Sequence, residues 1–112
     1  MIKTLRPWLL AATLSFAGTG IALAHSPIMS CFENEDKTVT CEAGYSDGAP
    51  STGQQFAAFS LDGRLLFEDT FTDNSDYTFT PPDLADGFYV EFIGDAAHTV
   101  IIYNDEIYWL EP

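Results

Sequence analysis

Apolar and polar residues alternate in short runs along most of this chain, and nearly every run stops at a turn residue. Thr38-Val39-Thr40-Cys41-Glu42-Ala43 alternates and predicts a strand. Gln55 to Leu61 predicts a second, ending at the hairpin signal Asp62-Gly63, and Arg64 to Glu68 returns from it. Tyr77-Thr78-Phe79-Thr80 is short and is stopped by Pro81-Pro82. Gly87 to Ile93 sets Phe88, Val90 and Phe92 on one face and Tyr89, Glu91 and Ile93 on the other. After Gly94-Asp95-Ala96-Ala97 the run His98 to Tyr103 predicts another strand, and Ile107-Tyr108-Trp109-Leu110 a closing one. Tyr45 to Ser51 and Thr72 to Asp76 read as loops that carry acids outward.

No window keeps helical periodicity over the roughly ten residues a helix requires. Short strands punctuated by turns, with nine phenylalanines and five tyrosines, predict an all-β domain. The expected architecture is a single β-sandwich, Ig-like or transthyretin-like, following an N-terminal signal helix.

The signal occupies residues 1–24. Lys3 and Arg6 supply its positive end, Trp8 to Ala17 its apolar stretch, and Ala22-Leu23-Ala24 a small-residue cleavage site. An uncleaved anchor is the rival, but Gly18-Thr19-Gly20 interrupts a stretch already short of the roughly 20 apolar residues of a comfortable span. Export to the periplasm or the exterior follows, with residues 25–112 as one small domain. Removing the signal leaves Lys37 and Arg64 against 17 acids, a formal charge of −15. Such a chain repels nucleic acid and anionic lipid and attracts cations, although solubility alone accounts for the charge equally well. Cys31 and Cys41 are the only cysteines. In an oxidising compartment they predict a disulfide across a short hairpin, since their spacing is not that of a zinc knuckle.

Cleavage after Ala24 makes His25 the first residue. A free α-amine and a ring nitrogen of one histidine close on a single metal ion. His98 is the only other histidine, and the two predict a nitrogen-rich site suited to copper, nickel or zinc. Asp95, three residues before His98, is the nearest carboxylate in sequence and the candidate further ligand. The competing reading makes His25 an accident of processing and His98 a surface residue of a hairpin. Met29 would suit Cu(I) as a thioether, but a lone methionine beside Ile28 is more often core filler. The acid runs at Glu33 to Asp36 and Asp69 to Asp76 lack EF-hand spacing, and turn formation accounts for them. No nucleophile motif or phosphate loop is present, so no enzymatic activity is expected.

Tyr45-Ser46-Asp47-Gly48, Leu61-Asp62-Gly63-Arg64, Phe71 to Phe79, Gly87-Phe88-Tyr89-Val90 and Asp95-Ala96-Ala97-His98 together resemble a carboxypeptidase-regulatory-type β-sandwich. Within that group the chain is similar to periplasmic accessory subunits of nickel and cobalt uptake transporters. The resemblance implies handling of a transition-metal ion beside a membrane transporter or another periplasmic protein. The family's hairpin glycine is replaced here by Ser75-Asp76, and Ala97 stands before His98 where glycine is expected. No membrane-spanning stretch follows Trp109, which favours a free periplasmic relative over an anchored subunit. The alternative is a secreted interaction module without metal, with Tyr103, Tyr108 and Trp109 as contact surface. The same three aromatics also suit the core of the last strand.

Overall fold

Alternation with period two forces each strand to bury one face, and the computed structural model satisfies this with two antiparallel sheets. It describes residues 25–95 and 98–112; the segment assigned to the signal, 1–24, and the two residues 96–97 before His98 lie outside them. Seven strands follow in order: β1 (Pro27–Glu33), β2 (Val39–Tyr45), β3 (Gln55–Ser60), β4 (Leu65–Thr70), β5 (Asp76–Phe79), β6 (Phe88–Ile93) and β7 (Thr99–Tyr103). One sheet has the order β1-β2-β5 and the other β4-β3-β6-β7. The all-β class holds, and no α-helix occurs among the described residues.

The core lies between the sheets. Phe88, Val90 and Phe92 are buried on the inner face of β6, as the alternation predicts. They meet Phe56 and Ala58 of β3 and Val39, Cys41 and Tyr45 of β2, with Phe71 and Phe79 filling between. Phe56 sits at the centre, with ring centroids 4.7 Å from Tyr77, 5.5 Å from Phe79 and 5.7 Å from Phe71. Aromatic pairs at these separations add to the stabilisation from their buried area. Met29 is half-buried and packs against this core.

The β1–β2 register sets Cys31 directly opposite Cys41, and the two are bridged. Both are essentially inaccessible, at 1% and 0% exposure. A buried bridge of this kind points toward an oxidising compartment. The β3–β4 hairpin turns at Gly63, whose φ of 87° is a conformation glycine takes without strain.

Two expectations change. Tyr45 does not open a surface loop; it ends β2 and is buried at 4% exposure. Ile107 to Leu110 does not form a strand. Tyr108 makes a single parallel bridge to Phe32, donating its N–H to the Cys31 carbonyl at 3.0 Å and accepting from Glu33 N–H at 2.9 Å. Pairing stops there because Ile107 turns into the core, and the Leu110 N–H donates to the Glu33 side chain at 3.0 Å. The C-terminal residues therefore cover part of the open edge of β1, which would otherwise offer unpaired backbone groups. Tyr103, Tyr108 and Trp109 are exposed and do not complete the core.

Replacing both cysteines by serine is expected to cost about 2–4 kcal/mol, mainly by freeing the unfolded chain. Urea unfolding of the Cys31→Ser/Cys41→Ser protein checks this; an unchanged midpoint would show that the bridge adds nothing to stability.

Candidate functional site around His25

Three segments distant in sequence meet at one end of the sandwich. They are the residues leading into β1, the loop after β2, and the β6–β7 hairpin. The first is fixed to the second by backbone pairing: Ser46 N–H donates to the Ser26 carbonyl at 2.8 Å, and Ser26 N–H donates to the Ser46 hydroxyl at 3.0 Å. The loop after β2 turns tightly, with Gly48 N–H on the Tyr45 carbonyl and Asp47 accepting from Ala49 N–H at 3.1 Å. The hairpin after β6 is equally tight: His98 N–H donates to the Asp95 carbonyl at 3.0 Å and Gly94 N–H to the His98 carbonyl at 2.7 Å.

His25 stands where these segments converge. Its Nδ1 is 2.6 Å from Asp47 Oδ2 and its Nε2 is 3.2 Å from Asp95 Oδ2. Its ring lies flat on that of Tyr45, with centroids 4.2 Å apart and planes 9° from parallel. Carboxylates accept only, so both ring nitrogens donate at once in the imidazolium form alone. Asp47 foremost, and then Asp95, raise the His25 pKa above its ordinary 6.5 by hydrogen-bonding the charged ring. Reciprocally, His25 first and the Ala49 N–H second hold the Asp47 carboxyl below its ordinary 3.8.

Tyr45 ties this surface cluster to the core. Its ring meets Phe92 edge-on at 5.7 Å, while its hydroxyl donates to Gln54 Oε1 at 2.6 Å and accepts Asp95 N–H at 2.8 Å. Gln54 Nε2 in turn donates to Asp95 Oδ1 at 2.6 Å. Each Asp95 oxygen is thereby committed, one to Gln54 and one to His25. The absence of a side chain at Gly94 makes room for this: a Cβ there would meet the Tyr45 hydroxyl at 2.8 Å and the His98 carbonyl at 3.0 Å.

Of the candidates read from sequence, His25 and Asp95 are brought into contact. His98 shares the hairpin of Asp95, and its exposed imidazole makes no hydrogen bond among the described residues. Asp47, Tyr45 and Gln54 were not among those candidates, although Asp47 and Tyr45 sit in the Tyr45-Ser46-Asp47-Gly48 stretch that carries the family resemblance. The two carboxylates grip opposite edges of the ring. Accordingly, no group of three or more histidines, cysteines or acids among the described residues is placed to hold one metal ion. No protein-family model, curated protein or solved structure matches this chain.

The signs of the shifts define a pH window. The raised pKa of His25 contributes stability that is fully present below pH 6.5 and lost as pH rises through the folded-state value. The lowered pKa of Asp47 contributes stability present above pH 3.8 and lost as pH falls through its folded-state value. The clamp is fully engaged between these limits. NMR titration of the His25 ring is expected to show a midpoint above 6.5. Asp47→Asn should lower that midpoint more than Asp95→Asn does. A wild-type midpoint at or below the ordinary value would contradict the doubly bonded ring.

Proposed function

We propose that the exported chain, cleaved before His25, is a periplasmic or secreted binding protein for a transition-metal ion, copper, nickel or cobalt. It would hold the ion for a membrane transporter or another periplasmic protein. One observation carries this reading: the residue that cleavage would make N-terminal has a carboxylate on each ring nitrogen, and one of the two belongs to the hairpin that bears His98.

Chemistry assigns the two carboxylates different tasks. A terminal histidine chelates through its α-amine and Nδ1, which close a six-membered ring with the ion. Nδ1 is the nitrogen that Asp47 faces, so Asp47 rather than Asp95 is the oxygen donor on the metal's side. Asp95 then accepts the Nε2 proton and orients the ring, the outer-shell carboxylate that metal-bound imidazoles commonly have. His98 supplies a second imidazole. Nitrogen with one carboxylate suits Cu(II) or Ni(II) better than calcium or magnesium.

Cleavage serves this site twice. It creates the amine, and it sets a positive charge beside the ring, which opposes the two carboxylates and eases loss of the Nδ1 proton. Chelation displaces the ammonium proton of the terminal amine and any proton still on Nδ1, so metal uptake near neutral pH releases protons and affinity rises with pH.

The strand order supports an immunoglobulin-like sandwich in which β4 has left the sheet of β1, β2 and β5 to pair with β3. The likeness to accessory subunits of nickel and cobalt transporters belongs to the same proposal.

Titration of exported protein, with its first residue checked by mass spectrometry, tests the reading. One Cu(II) or Ni(II) per chain is expected. An alanine added before His25 should weaken binding by about 100-fold; Asp95→Asn should cost the roughly 10–100-fold typical of an altered outer-shell partner, and Asp47→Asn, which removes the oxygen donor, should cost more. Equal affinity with and without the extra residue would reject the terminal chelate.

A further inference from the structure

The outward face of the β4-β3-β6-β7 sheet is laid out in rows. Leu65, Phe59, Tyr89 and Tyr103 lie side by side across all four strands. The next row is Glu68, Ala57, Glu91 and Ile101, and the third is Thr70, Gln55, Ile93 and Thr99. The first row is apolar and partly open: Leu65 and Tyr103, at its two ends, are 47% and 45% exposed, with Ile101 next to Tyr103 on β7 at 43%. Phe59 stacks on Tyr89 at 5.1 Å, and Tyr89 meets Tyr103 at 5.4 Å.

The second row carries two carboxylates that straddle Ala57. With one strand between them they stand about 10 Å apart, and the apolar row runs about 7 Å further along the strands. None of the four strands contains a lysine or arginine. Glu68 accepts a hydrogen bond from Gln55 at 2.7 Å, and among the described residues no ion pair engages Glu68 or half-buried Glu91.

We infer that this face docks a protein partner presenting an apolar stripe beside a stripe of lysine or arginine. Charge complementarity selects that occupant. A cation set between Glu68 and Glu91 finds two carboxylates with no basic residue of this sheet competing for them. A second copy would bring carboxylate rows together on two chains of formal charge −13 each, or −15 without residues 1–24, a like-charge juxtaposition that opposes association. Anionic lipid and nucleic acid meet the same repulsion. A sugar needs open ring faces, and here Phe59 and Tyr89 cover one another with planes 18° from parallel. The surface is separate from the His25 cluster and stands whether or not that cluster holds metal.

The test uses exported protein labelled with ¹⁵N and two soluble peptides of equal positive charge. One carries leucine and tryptophan beside its arginines; in the other these are replaced by serine. The amphipathic peptide is expected to shift amides of β3, β6 and β7 selectively and to bind at least about fivefold more tightly than the serine peptide. Glu91→Gln and Tyr103→Ser should each weaken it by a similar factor, while Glu42→Gln, on the exposed face of the other sheet, leaves it unchanged. Equal binding of both peptides, shifts spread over the whole surface, or equal sensitivity to Glu42→Gln would reduce the effect to general charge attraction and overturn the inference. So would a concentration-dependent dimer abolished by Tyr103→Ser, or no binding at all. None of these outcomes bears on metal affinity, so the two proposals fail separately.

Discussion

The Tyr45 side chain is where the interior of the sandwich takes hold of its surface. Its ring is locked in the core against Phe92, and the same ring is the platform on which His25 lies. The hydroxyl accepts the Asp95 N–H and donates to Gln54, which holds the Asp95 carboxylate. A buried tyrosine needs a partner for its hydroxyl, and here meeting that need fixes the β6–β7 hairpin against the loop after β2. The positions of His25, Asp47 and Asp95 follow from it. Tyr45 is therefore a positioning residue: it acts on the cluster through packing and hydrogen bonds while contributing no charge.

Charge imposes the second constraint. The two acids at His25 are part of a domain with 17 acids and two cations, so each carboxylate brought near another raises the electrostatic cost of the compact state. The imidazolium offsets this locally by sitting between Asp47 and Asp95. The same geometry keeps the cluster from being a ready metal site, because the ring separates the acids that would have to converge. In the proposed site a terminal amine would change the balance by supplying a donor on the Nδ1 side and easing loss of the proton there. Cleavage is thus the step on which the proposed site turns.

Much of this was legible in the sequence, for reasons that are local. The alternation of Phe88, Val90 and Phe92 with Tyr89, Glu91 and Ile93 fixes which face of β6 is buried. The polar centre between Cys31 and Cys41 predicts the hairpin that pairs them. Asp95 and His98 stand three positions apart in the sequence, so their shared hairpin was also readable. Asp47 was not, because its nearness to His25 depends on β1 pairing with β2 in the register that sets Pro27 opposite Tyr45. Tyr45 was misplaced because an aromatic beside Ser46-Asp47-Gly48 looks like part of the turn, whereas the core claims it. Ile107 to Leu110 has strand composition, but its neighbours offer one backbone bridge and a side-chain acceptor instead of a ladder.

The two surfaces assigned to this domain lie toward opposite ends of β6. The apolar row crosses that strand at Tyr89, while the hairpin bearing Asp95 begins just beyond Ile93, about 13 Å further along. A partner seated on the row can leave His25 open to solvent, so docking and ion exchange need not compete. In the proposed carrier this separation would leave the ligands open to an acceptor's own donor atoms while a partner is docked on the row. The sheet also makes the arrangement rigid. Ile93 and Tyr89 are held in register with Gln55 and Phe59 on one side and Thr99 and Tyr103 on the other, so a bound partner would meet the cluster at a fixed distance and orientation.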